Sequence, residues 1–280
     1  MKKRYEKRIA VSSSDYKGEN VHSMVLNGMT RRGFLGALAA LGVTVGVRPL
    51  LGIGAASQID IVQLIYSGGN WQPRPTALRR LAFELQKRTA VDAVLEPTAT
   101  RLLPGKLADS PLMYISGDRP FSPFTPASVE VLRRYLKLGG TVIVDPAYTP
   151  DGDARGFQKS IAHLMTEVLP GINAEKLAPG HVIFRSFYKL SAAAGLRRGS
   201  SGLTGYSIDK RVAVIWGDHD MGGAWARDNL GNWEYEVPGG TRQRENAFRL
   251  GVNVVMYALC GNYKDEMPHK RFSNSSDKGQ

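Results

Sequence analysis

Only one of the 280 residues is a cysteine, Cys260, so no disulfide can form within the chain and the fold must rest on its core. Phosphate-cradling signatures are missing as well: neither G-x-x-x-x-G-K-[ST] nor G-x-G-x-x-G occurs, which argues against nucleotide binding. The body of the chain has no cluster of Lys and Arg interleaved with aromatics. Nucleic acid is therefore not expected as a partner. Repeats and low-complexity runs are absent, and no apolar run reaches the roughly 20 residues that a spanning helix needs.

What is present is an ordinary globular composition, 42% hydrophobic and 22% charged. The formal charge of +12 overstates how basic the body is. Nine Lys and Arg against three Asp and Glu in residues 1–56 give +6 there and leave +6 for the rest. Residues 30–36, with the adjacent Arg31 and Arg32 followed by Gly33, Phe34 and Leu35, resemble the twin-arginine export motif. A Gly- and Ala-rich apolar stretch, 34–47, follows, then Arg48-Pro49, then the small residues Gly54, Ala55 and Ala56. Cleavage near Ala56 is expected. The alternative is an uncleaved anchor, because Leu50, Leu51 and Ile53 extend the apolar run; membrane contact would then be confined to this segment. Either way the twin-arginine translocase is the expected partner during export, and the periplasm, or another site outside the cytoplasmic membrane, is the expected location. The expected division is a signal segment 1–56, one domain 57–262 and a polar tail 263–280.

Residues 59–66 form a β-rich apolar run that ends on the breaker cluster Ser67-Gly68-Gly69-Asn70. Leu78, Leu81, Ala82 and Leu85 at i, i+3, i+4 and i+7 predict a helix from Pro75 or Thr76 to about Arg88. Short strands are expected at 91–95 and 111–116. A second helix opens on Pro126, carries Val129, Leu132 and Leu136 on one stripe and stops at Gly139-Gly140. A buried strand 141–144 runs into Asp145-Pro146; a helix 157–169, a strand 211–216 and a long helix 243–259 complete the pattern. Cys260, beside Val252, Val255, Met256 and Leu259, is expected to be buried and inert. Strands that alternate with helices predict an α/β fold: an open parallel sheet with helices on both faces.

Residues 66–71 with Pro73-Arg74-Pro75, 111–117, 139–145, 181–188, 222–225 and 243–259 together resemble the bacterial domain-of-unknown-function 4159 family. That family is similar in fold to the class I glutamine amidotransferases, which implies a flavodoxin-like sheet. In those relatives a nucleophilic Cys follows the strand that ends here at Val144. This chain has Asp145-Pro146 instead, and proline offers no N–H to an oxyanion, so amidotransferase chemistry is not expected.

Ligands in open parallel sheets bind beyond the carboxyl ends of the strands. The ends near residues 66–74, 116–119, 145–148 and 217–220 define a candidate cleft for a small polar or carbohydrate ligand. It comprises Asn70, Trp71, Arg74, Ser116, Asp145, Asp218, His219 and Trp225. Trp71, Trp225, Trp233 and Tyr148 would floor it by stacking on sugar rings; the competing reading makes the tryptophans core fillers. Ser116 lacks the context of a nucleophile elbow. Asp218-His219-Asp220, with Asp145 or His181, would suit a divalent cation, whereas Asp and His after a strand are also ordinary turn formers. His181 is expected to be structural. The resulting expectation is a non-catalytic binding or envelope-assembly module without cofactor, metal or catalytic residue. The alternative is an envelope hydrolase of carbohydrate or peptide, metal-dependent in one version.

Overall fold

A computed structural model describes residues 58–260, except 104, 106, 108 and 109. The expected export signal, Arg31 and Arg32 included, and the expected tail lie outside the described residues. Within them one sheet contains β1 (Ile61–Leu64), β2 (Ala99–Thr100), β3 (Leu112–Gly117), β4 (Thr141–Pro146), β5 (Glu175–Leu177), β6 (Leu203–Ile208) and β7 (Arg211–Trp216). Their order is β2-β1-β3-β4-β7-β6-β5. The first five strands of that row run parallel, while β6 is antiparallel to β7 and β5 to β6. With β7 as the fifth parallel strand, this is the flavodoxin-like order, extended by an antiparallel pair on one edge.

The helices α1 (Ala77–Arg88), α2 (Pro126–Lys137), α3 (Ala154–Val168), α4 (Met221–Trp225) and α5 (Gly240–Cys260) lie on the two faces. One face is covered by α1, α4 and α5, whose Leu81, Leu85, Trp225, Phe248 and Val252 pack on Leu112, Tyr114, Ile143 and Ile215. The other is covered by α2 and α3, whose Leu132, Leu136, Phe157 and Ile161 pack on Met113, Ile115, Val142 and Val144. Strands β3 and β4 are buried at every position. That is why each reads as an unbroken apolar run rather than an alternating one. Local signals fix the helix starts. Thr125 accepts the Ser128 N–H at 3.2 Å ahead of Pro126, and Asp153 accepts the Gly156 N–H at 2.9 Å.

The structure departs from the sequence reading in four places. Residues 91–95 are not a strand: only Ala93 bridges to Ile59, and β1 takes its edge partner from Ala99–Thr100 beyond Pro97. The β5–β6 pair has no expected counterpart. β5 is three residues long and mostly exposed, and β6 carries Gly205 within it, so neither presents a clear apolar period. Cys260 is exposed: it ends α5, beyond the last buried position at Tyr257 and the partly buried Leu259. Trp225 is a core residue and not a cleft wall. It is 0% exposed, its Nε1–H donates to the Ala247 carbonyl at 3.0 Å, and its ring lies 6.3 Å from that of Tyr114. No helix among the described residues is long and apolar enough to cross a membrane.

Trp225 thus joins α4, α5 and β3, and α5 passes so close that a Cβ on Gly251 would sit 2.8 Å from its Cζ2. Trp225→Ala is expected to cost about 3–5 kcal/mol in urea unfolding, through lost burial and the cavity left behind. A loss below about 1 kcal/mol would contradict this role in the core.

Candidate functional site at the strand ends

Three polar networks sit beyond the carboxyl ends of the parallel strands. The first begins at Arg74, just before α1. Its guanidinium grips Asp220, Nε to Oδ1 at 3.1 Å and Nη2 to Oδ2 at 2.5 Å, with both side chains out of solvent. Arg74 also donates to the Tyr148 carbonyl at 3.3 Å and lies 4.0 Å from the Tyr235 ring centroid. Burial opposes its charge, but the Asp220 partner and Tyr235 outweigh that and raise its pKa. Asp220 in turn accepts the Tyr148 N–H at 3.0 Å and, as the α4 cap, the Gly223 N–H at 2.9 Å.

The second network centres on Asp145, at the end of β4. Its carboxylate accepts the Tyr114 hydroxyl at 2.5 Å and the N–H groups of Met221 at 2.8 Å and Gly222 at 2.7 Å. Gly222 has to be small here, since a Cβ on it would lie 2.6 Å from the Tyr114 oxygen. Burial, and after it the neighbouring Asp220 carboxylate, push the Asp145 carboxyl up to about 7; the three donors pull the other way. Burial and the adjacent Asp145 also lift Tyr114 well above the ordinary phenol value, so it remains a donor.

The third network lies at the β1 and β3 ends, the switch point of the sheet. Asp118 accepts from Asn70 Nδ2 at 3.1 Å, Thr149 Oγ1 at 3.0 Å and Arg119 Nε at 2.9 Å. Burial works against its ionisation, yet these donors hold its pKa below the ordinary carboxylate value. The Tyr66 hydroxyl oxygen lies 2.8 Å from the Asn70 carbonyl and 2.7 Å from the Ser116 carbonyl, and donates its one proton to either. Ser116 is buried and donates to the Asp145 carbonyl at 2.8 Å, so its hydroxyl is not presented to solvent.

The structure therefore gathers Asn70, Arg74, Ser116 and Asp145 at one edge, but as mutually bonded groups rather than as the wall of an open cleft. Asp118, Tyr114 and Thr149 belong with them and were not singled out from sequence; an acid directly after a strand-ending glycine was the available signal. Trp71 is half-buried against the α2–α3 face, with its carbonyl held by Gln63 Nε2 at 2.7 Å. Trp233 lies towards α5, 6.0 Å from Phe248 and stacked under Arg244 at 4.2 Å. Tyr148 lies under Arg197 at 3.7 Å. With Trp225 in the core, these four aromatics build no common floor.

The Asp218-His219-Asp220 string splits in the same way. His219 is buried, with Nε2 donating to the Ser200 carbonyl at 2.7 Å and Nδ1 3.3 Å from Asp218 Oδ1. Its Nδ1 makes no hydrogen bond. Asp218 is half-exposed, while Asp220 is committed to Arg74. Among the described residues no group of three His, Cys, Asp or Glu is placed to hold a metal ion. His181 accepts the Ile183 N–H at 3.3 Å and so caps a short 3-10 turn, Val182–Arg185.

An open, doubly wound α/β domain with its switch point filled by its own side chains is the class that fold and site define. The chain belongs to the family described as domain of unknown function (DUF4159), whose model matches residues 60–259. No curated protein matches it.

The Asp145 network has a pH signature. Its folded pKa, about 7, lies above the ordinary aspartate value of about 3.9. Its contribution to stability is therefore complete below about pH 4 and is lost as pH rises through about 7, by no more than about 1.4 kcal/mol per pH unit. In Asp145→Asn that dependence should vanish. The variant should also be less stable by about 1–3 kcal/mol, since its Nδ2 must face one of the two amide N–H groups. Urea unfolding of both proteins across this range checks the prediction; parallel pH profiles would refute it.

Proposed function

We propose that this chain is an exported, non-catalytic module that binds a ligand or assembles with a partner in the cell envelope. One observation carries the reading. Asp145 stands where the amidotransferase-like resemblance would put a nucleophile, and it is tied to the Met221 and Gly222 amides and to Tyr114. Those are the groups a reactive centre would need free: an accessible nucleophile, a nearby base and unoccupied amide donors for an oxyanion. Ser116, Arg74, Asp118 and Asp220 are likewise engaged inside the protein. Export rests on residues 30–36, with Arg31 and Arg32 read by the twin-arginine translocase, and it gives the domain its periplasmic setting.

The two halves of the proposal are tested separately. Replacing both Arg31 and Arg32 by Lys should leave precursor in the cytoplasmic fraction; an unchanged periplasmic yield would remove the export assignment. The purified protein should not turn over chromogenic glycosides or peptide anilides. Turnover that is lost in Asp218→Ala or His219→Ala would replace the binding module with an envelope hydrolase.

A further inference from the structure

Away from the strand ends, a groove of about 450 Å³ runs between the loop 192–201 and the start of α5. Its ionisable lining consists of three arginines, Arg197, Arg198 and Arg242, and its remaining polar lining includes Ser200, Ser201 and Asn246. No Asp or Glu lines it. None of the three arginines has an ion-pair partner among the described residues; Asp218, whose Oδ1 lies against the lining residue Gly199, stands 3.3 Å from His219 Nδ1. Some arginines elsewhere in the domain are paired, as Arg74 is with Asp220 and Arg88 with Glu84 and Glu245, and others bond backbone carbonyls, as Arg211 and Arg244 do. Three exposed arginines that line one concavity without an acid among its lining give it a positive field, which an oxyanion would neutralise.

The loop is held in place from both sides. Leu196 N–H donates to the Asp220 carbonyl at 2.9 Å, and Arg197 N–H to the His219 carbonyl at 3.1 Å. His219 Nε2 reaches the Ser200 carbonyl, and Gln243 Nε2 the Gly195 carbonyl at 2.9 Å. Tyr148 supports the Arg197 guanidinium from below. The first turn of α5 has no acidic residue, so the positive end of this 21-residue helix adds to the same field.

We infer that this groove is a binding site for a phosphoryl-bearing anion, held by Arg197, Arg198 and Arg242. Three cations favour a multiply charged phosphate over a single carboxylate, and the volume suits a small molecule or a headgroup. The site gives the binding-module reading a ligand class, and it rests on that reading only for the absence of turnover.

Calorimetric titration of the full chain with inorganic pyrophosphate tests it, at low ionic strength and again at about 0.15 M salt. A single site is expected. Arg198→Ala/Arg242→Ala should weaken it at least tenfold, whereas Arg134→Ala/Lys137→Ala, which removes the same charge from exposed positions on α2, should leave it unchanged. Should the first double variant fail to fold, Arg242→Gln at an exposed position of α5 reads the same loss. A parallel co-sedimentation uses phosphatidylcholine vesicles with and without phosphatidate. Binding there but not to pyrophosphate assigns the phosphoryl group to a lipid headgroup. Binding to neither probe, or equal weakening in both double variants, overturns the site. Release of phosphate from bound pyrophosphate would instead sink the non-catalytic reading and leave the site standing.

Discussion

Asp220 stands in left-handed backbone, φ 53°, at the turn from β7 into α4, and four segments of the chain meet on it. Its carboxylate takes Arg74 from the β1 end, the Tyr148 amide from the β4 end and the Gly223 amide from its own helix. Its carbonyl takes the Leu196 amide from the loop before β6. A buried ion pair offsets the cost of leaving water only when its remaining lone pairs and protons are also used. Here the two amides and the Tyr148 carbonyl provide those contacts. Removing one partner would leave the other charged and buried, a loss of about 3–5 kcal/mol. A short polar residue at this position also tolerates the left-handed conformation, which most side chains resist.

The consequence reaches across the sheet edge. Helix α4 begins with the amides of Met221, Gly222 and Gly223. The first two are taken by Asp145 and the third by Asp220. A helix start at the carboxyl end of a parallel strand is where such folds usually receive an anion. In this chain two of its own carboxylates occupy that place. Burial first, and the nearby Asp220 charge after it, raise the Asp145 pKa, and Tyr114 and Arg74 are the groups that make the crowding tolerable.

The parts of the fold that follow from neighbouring residues were legible in the sequence. The Leu78-Leu81-Ala82-Leu85 stripe marked α1, Pro126 marked the start of α2, and 211–216 marked β7. The apolar runs ending at Ser116 and Val144 located β3 and β4. What escaped depends on distant partners. Arg74 and Asp220 are 146 residues apart, and nothing local pairs them. Trp225 reads like any aromatic near a strand end until Ala247 and Gly251 of α5 close over it. Cys260 follows an apolar helical stretch, yet at the end of the helix its side chain is exposed. The β5–β6 pair fails for a different reason: an edge strand of three mostly exposed residues is held by its ladder to β6 and carries almost no pattern of its own.

The Asp218-His219-Asp220 string acquires a physical role without any ligand of its own. The carbonyls of His219 and Asp220 accept Arg197 and Leu196, and the His219 ring accepts nothing but donates to Ser200, so the string is a template for the loop 192–201. Gly195 lies so close that a Cβ there would fall 2.2 Å from the His219 carbonyl oxygen, which leaves the loop little freedom to lift. The loop carries Arg197 and Arg198, both exposed. Pinned at Gly195, Leu196, Arg197 and Ser200, it keeps the base of that pair beside Arg242 of α5. The buried Asp220 at the strand ends thus also helps fix the backbone that carries the exposed Arg197 and Arg198.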